Sequence, residues 1–164
     1  MTAPTPTSPN PANLLQDPLH LLALGFGAGC LKPGPGTWGS VIGIAVYFLV
    51  RTLSLPVYVL IVVLAFGLGV WICGRTAVTL GVADHPSIVW DEVVGVLITL
   101  AAAPGGWRWW VAGFLLFRLL DIAKPWPVRW VDRHVHGGLG IMLDDAVAGV
   151  MACLVLQVIA KVAV

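Results

Sequence analysis

Residues 117–149 read FRLLDIAKPWPVRWVDRHVHGGLGIMLDDAVAG. The stretch begins as the end of an apolar helix that must stop before Lys124-Pro125, because proline excludes helical geometry from the residue before it. Arg118, Asp121 and Lys124 stand at i, i+3 and i+6, roughly on one face of that helix. Residues 126–136 are amphipathic, with Arg129/Arg133 and Asp132/His136 at i, i+4 spacing. Gly137, Gly138 and Gly140 are predicted to break the chain. A long apolar helix then follows from about residue 141 to 162, with Asp144 and Asp145 in its first turn. Charges thus stand at the ends of apolar helices and are scarce along them. That is the pattern of an all-α bundle embedded in a membrane, with polar chemistry at one interface.

The rest of the chain agrees. Of 164 residues only 9 are basic and 8 acidic; charged residues are 10%, hydrophobic ones 59%, and mean hydropathy is +0.93. Soluble domains carry about 25% charged residues. So little charge excludes a disordered chain, a coiled coil and a nucleic-acid binder with a basic face, so no nucleic-acid partner is expected. Further apolar runs occupy 41–50, 57–73, 87–103 and 107–123. A span needs about 20 residues, and the 41–50 run reaches that only with its flanks. The expectation is a membrane helical bundle of four to five spans plus interfacial helices. Residues 14–30 read as one more helical stretch, with Gly25 and Gly29 as a small-residue contact pair. The run 32–40, KPGPGTWGS, reads as a turn in which Thr37 or Ser40 caps the following helix, and 75–86 as a loop. Residues 1–13, with four prolines, read as a flexible tail, and 14–164 as a single membrane-embedded domain. No cleaved signal peptide is expected. Three scattered cysteines suggest neither a disulfide frame nor a thiolate zinc site.

Alternating the spans across a bilayer places Lys32, Arg75, Arg118, Lys124, Arg129 and Arg133 on one side, with Arg51, Arg108 and Lys161 on the other. Six against three marks the first side as cytoplasmic. Seven of the eight acidic residues, from Asp84 to Asp145, fall on that same side. A carboxylate inside a bilayer costs about 2.5–3.5 kcal/mol on insertion scales, whereas a helix N-terminus returns roughly 0.3–1 kcal/mol. Capping therefore does not account for so many.

Three segments bring acids to this face: DHPSIVWDEVVG (84–95) with Asp91 and Glu92, the helix end with Asp121, and the last helix with Asp144 and Asp145. Arg118 and Lys124 are the nearest counter-charges in sequence, which leaves an excess of about three negatives. A divalent cation neutralises such an excess, and all-oxygen ligands favour Mg²⁺ or Mn²⁺ over Zn²⁺. Carboxylates holding Mg²⁺ beside Arg and Lys are the equipment of phosphoryl chemistry. Lys32 and Thr37 in the glycine-rich loop form either a phosphate nest or a plain helix entry. Arg129 and Arg133 are candidates for holding anionic lipid. Known phosphatase signatures are missing: there is no C-x5-R loop, no D-x-D pair and no K-x6-R-P element. A transporter would place its acids near mid-bilayer, and a lipid phosphotransferase would need a nucleotide pocket.

Four stretches together, LLALGFGAG (21–29), PGTWGS (35–40), DHPSIVWDEVVG and the 117–149 run, resemble the phosphatidylglycerophosphatase A family. The long run carries most of the specificity, and the resemblance covers about residues 20–150. It implies a helical, Mg²⁺-dependent phosphatase of the bacterial inner membrane that converts phosphatidylglycerophosphate to phosphatidylglycerol, with its site on the cytoplasmic face. On that reading Asp91, Glu92, Asp121, Asp144 and Asp145 serve as metal-binding and catalytic carboxylates. Arg118, Lys124, Lys32 and Thr37 bind the phosphate. Either a water attacks phosphorus with a carboxylate as its base, or Asp91 or Asp121 forms an aspartyl phosphate.

Overall fold

The computed structural model describes residues 10–163, and every regular element among them is helical. Of the tail expected at 1–13, residues 1–9 lie outside the described residues, whereas Pro11–Gln16 forms a short 3-10 helix capped by the Asn10 side chain. The stretch expected as one helix over 14–30 is instead broken into that segment, α1 (Pro18–Ala23) and a second 3-10 segment, Gly25–Cys30. Positive φ at Phe26 and Gly27 prevents a continuous helix there. The remaining helices are α2 (Pro35–Val50), α3 (Leu55–Leu80), α4 (Trp90–Thr99), α5 (Trp107–Ala123), α6 (Val128–His134) and α7 (Gly137–Ala163).

The hub is α4. It touches α2, α3, α5 and α7, and nearly every residue from Asp91 to Thr99 is buried or half-buried. A helix buried on all sides belongs to the core. The sequence predicts a span over 87–103, but ten residues rise only about 15 Å, half the thickness of a bilayer core. Its start is pinned from two directions: the Val89 N–H donates to Ala23 O at 3.0 Å, and Trp90 Nε1 donates to Ala65 O at 3.0 Å. It ends in turns at 100–102, where Ala102 has φ 54°.

Among the described residues two helices, Leu55–Leu80 and Gly137–Val162, are long and apolar enough to cross a membrane. α2 and α5 rise about 24 and 26 Å. Large apolar side chains are exposed along the outer faces of α3 (Leu60, Val63, Leu64, Trp71), α5 (Leu115, Leu119, Ile122) and α7 (Leu154, Val158). An apolar exterior of this extent is unlike that of a monomeric soluble domain.

Two helix boundaries differ from expectation. α3 runs on through Arg75 to Leu80, so the 75–86 loop is shorter than its composition suggested. α7 begins at Gly137, whose φ of 69° marks the break from α6, while Gly138 and Gly140 lie inside the helix and do not break the chain. Gly138 lies against the Val70 carbonyl and Gly74 of α3, where any Cβ would collide with backbone. The glycines let α3 and α7 touch. Asp144 and Asp145 consequently sit two turns into α7 rather than in its first turn.

Candidate active site

The chain direction alternates through the bundle. The starts of α2 and α4, the end of α5 and the first half of α7 therefore meet at one end. There they enclose a cleft of about 290 Å³ lined by Gly34, Pro35 and Gly36, by Asp84, Asp91, Glu92, Asp121, Asp144 and Asp145, and by Arg118 and Lys124. All five carboxylates singled out in the sequence are brought together, with both of the nearest cations. Asp84 completes the wall. It belongs to the same DHPSIVWDEVVG motif, but its loop position gave no helical spacing by which to place it.

At the bottom stand Asp91 and Glu92 of α4 and Asp145 of α7. Each offers an oxygen, and the three atoms lie within 4.8 Å of one another. Asp91 and Asp145 are 9% and 4% exposed. Among the described residues, Asp91 Oδ1, Glu92 Oε2 and Asp145 Oδ2 are buried with no hydrogen-bond partner. Buried carboxylate oxygens are normally satisfied, and three clustered carboxylates that each keep an unsatisfied oxygen are costly without a cation. An all-oxygen, carboxylate-rich donor set of this kind suits a hard divalent cation such as Mg²⁺.

The cations flank this floor. Arg118 donates from Nη1 to Asp121 Oδ2 at 2.6 Å and lies 3.7 Å from Glu92 Oε1. Lys124 closes α5 in a left-handed conformation, φ 42°, a strained state for a non-glycine residue. Its ammonium donates to Asp144 Oδ2 at 2.8 Å and to Asp132. Burial alone would lower the Lys124 pKa, but the two carboxylates outweigh it and hold the pKa above the ordinary lysine value. Asp132, from α6, thus acts on the cleft through Lys124. Six carboxylates and two cations line the cleft, a larger negative excess than the sequence count gave.

Helix α2 enters through Gly34 in the left-handed region, with Pro35 at its first position. Neither Thr37 nor Ser40 caps it; the Ser40 hydroxyl donates back to Gly36 O at 2.9 Å. A Cβ on Gly36 would collide with Glu92 Oε1 and crowd Arg118 Nη1. The backbone of Gly34–Gly36 therefore forms a wall of the cleft. Lys32 and Thr37 are exposed and are not among the lining residues. Lys32 instead borders a neighbouring depression with Cys30, His85 and Ser87. The turn at 32–34 and the helical rotation of α2 carry both side chains away from the acids.

Fold and site together define a class: an apolar helical bundle with a buried carboxylate cluster and two cations at one end. The family model described as "Phosphatidylglycerophosphatase A" matches residues 21–160, and the chain belongs to that family, which makes it a phosphatase. An Escherichia coli (strain K12) protein named phosphatidylglycerophosphatase A is 51% identical over 146 residues, covering 88% of this chain and 85% of its own length. A Haemophilus influenzae protein of the same name is 48% identical over 143 residues, covering 86% and 88%. A Bacteroides thetaiotaomicron protein, provisionally named phosphatidylinositol-3-phosphatase, is 40% identical over 147 residues, covering 84% and 91%. No solved structure matches the chain.

Proposed function

We propose that the protein hydrolyses the phosphate monoester of phosphatidylglycerophosphate, giving phosphatidylglycerol and inorganic phosphate, with Mg²⁺ as its cofactor. The observation that carries the chemistry is the convergence of Asp91, Glu92 and Asp145, each with an unpartnered buried oxygen, beside Arg118 and Lys124. The names of the relatives at 48–51% identity support the substrate.

Asp91, Glu92 and Asp145 would hold the ion, with Asp144 and Asp121 beside them. Bound there, Mg²⁺ supplies charge neutralisation and polarisation of phosphate oxygens. Arg118 and Lys124 receive the remaining non-bridging oxygens and orient the phosphorus. One of the flanking carboxylates, Asp121 or Asp144, takes a proton from an attacking water. The new P–O bond forms as the P–O bond to glycerol breaks, and the proton taken by the carboxylate passes to the departing glycerol oxygen, which leaves as a hydroxyl. Low dielectric around the cleft floor strengthens each of these contacts.

In the membrane, α2, α3, α5 and α7 cross the bilayer, and α4 reaches half-way inside their ring. The cleft then opens at the cytoplasmic face of the bacterial inner membrane, where six of the nine basic residues gather. A lipid headgroup reaches it there without leaving the interface.

Phosphate release from phosphatidylglycerophosphate by the detergent-solubilised full chain, with and without EDTA, tests the reading. Activity lost in EDTA and restored by Mg²⁺ is the expected result. No release under any divalent metal overturns the activity, and release that EDTA leaves untouched overturns the cofactor. Release from a phosphoinositide monoester faster than from phosphatidylglycerophosphate would favour the alternative that the Bacteroides relative's name suggests.

A further inference from the structure

The cleft has neighbours. Lys124 forms part of its wall and also part of a second groove of about 350 Å³, shared with Trp126, Arg129, Trp130 and Arg133. Arg129 and Arg133 are exposed and, among the described residues, make no ion pair. Their i, i+4 spacing places both guanidinium groups on one side of α6. Val128 and Val131 are buried in the core and fix the rotation of that helix. Trp126 and Trp130 are 81% and 53% exposed, and Trp130 stacks on His134 with ring centroids 4.8 Å apart. The groove therefore combines three cations with aromatic rings of the kind that settle at a headgroup layer.

Two other depressions border the cleft, and neither offers this chemistry. One shares Asp84 and Asp144 with the cleft and adds Asp132, a wall that repels anions. The other shares Pro35 and Pro86 and has a single cationic side chain, Lys32.

The proposed substrate carries two phosphates joined by one glycerol: the monoester that is cleaved and the phosphodiester that bears the acyl chains. With the monoester in the cleft, the diester must lie one glycerol away, on a bordering surface. We propose that the Arg129–Arg133 groove is the subsite for that phosphodiester. The two arginines bind its non-bridging oxygens, and Trp126 and Trp130 settle at the lipid boundary. The assignment rests on the substrate reading above and makes the groove the determinant of preference for lipids carrying a second phosphate.

The test uses the full chain in neutral detergent micelles and compares wild type with the Arg129→Gln/Arg133→Gln double variant. Charge-assisted hydrogen bonds of this kind predict a rise of about tenfold or more in KM for phosphatidylglycerophosphate, with the loss falling on KM rather than kcat. Inhibition by phosphatidylglycerol, which keeps the diester and lacks the monoester, weakens by a similar factor. Inhibition by inorganic phosphate, which needs only the cleft, stays within about twofold and serves as the control for folding. An unchanged KM overturns the subsite. Parallel weakening of phosphate inhibition overturns it too, since the arginines would then act as a general field. An effect seen in anionic vesicles and absent in neutral micelles reassigns the groove to the bilayer surface and also overturns it. If wild type releases no phosphate from phosphatidylglycerophosphate, the substrate reading fails by itself. The groove is then judged by phosphatidylglycerol binding in neutral micelles, followed by tryptophan fluorescence, where equal binding by the two proteins rejects it.

Discussion

Replacing Asp145 with Asn should stabilise the metal-free protein while destroying its response to Mg²⁺. The substitution preserves shape and removes one charge from the floor of the cleft. Asp145 offers an oxygen within 4.8 Å of oxygens on Asp91 and Glu92. At an effective dielectric constant of about 20, one pair of unit charges at that distance repels by about 3.5 kcal/mol. Asp145 has two such neighbours and bound protons relieve part of the repulsion, so the one-pair figure sets the scale of the gain. For a chain of this size each kcal/mol moves Tm by about 2–4 °C, so a gain on that scale in EDTA is roughly 7–14 °C. Wild type instead gains from the ion: about 2.7 kcal/mol when free Mg²⁺ is a hundredfold above Kd. The two melting curves should therefore converge as Mg²⁺ is added. Asp145→Asn melts higher in EDTA and gains little from Mg²⁺, while wild type melts lower in EDTA and rises with Mg²⁺. Thermal unfolding in one detergent, with EDTA or a Mg²⁺ titration, reads both effects. A variant that melts at or below wild type in EDTA and gains the same Mg²⁺ shift would refute the cation site.

Other expectations follow from neighbouring contacts. Lys124→Met leaves Asp144 and Asp132 without their shared cation; because Lys124 is partly exposed, the expected stability loss is about 1–2 kcal/mol, with a larger fall in phosphate release. The Lys124 pKa is raised in the fold, so its contribution is complete below the ordinary lysine pKa of about 10.4 and declines as pH rises beyond it. The Tm difference between wild type and Lys124→Met should thus hold constant from about pH 6 to 9 and shrink above about pH 10.4. Gly36→Ala pushes a methyl group into Glu92 Oε1; since that oxygen ends a flexible side chain, the fold should survive, with Tm lowered by only a few degrees, while turnover drops by an order of magnitude or more. Asp91→Asn, tested for phosphate release across a Mg²⁺ titration, should abolish activity at every metal concentration.

The helical class, the apolar exterior and the five carboxylates with Arg118 and Lys124 were legible in one dimension. Helical periodicity, prolines and charge placement are local properties, and here charge is confined to helix ends. The 117–149 run by itself disclosed a helix end, an amphipathic segment and an acid-bearing helix. What it could not disclose was depth. Asp144 and Asp145 read as first-turn residues because glycines ordinarily interrupt helices, whereas here Gly138 and Gly140 are helical and Gly138 admits the backbone of α3. The 87–103 run read as a span because its composition is apolar throughout, yet α4 is ten residues long and enclosed by protein. Apolarity is the same whether lipid or side chains surround a helix, so only the packing of α2, α3, α5 and α7 distinguishes them.

The sequence by itself determined which residue types were available for the site and the end of the bundle where they would gather, because helices that alternate in direction bring alternate ends to the same side. The tertiary structure decided the rest. It joined Asp91 and Glu92 to Asp145 across α4 and α7, gave Asp132 a hold on Lys124, brought in Asp84, and turned Lys32 and Thr37 away. These relations join segments tens of residues apart. They depend on helix rotation and on contacts as close as a glycine against a carboxylate, and no local spacing rule encodes them.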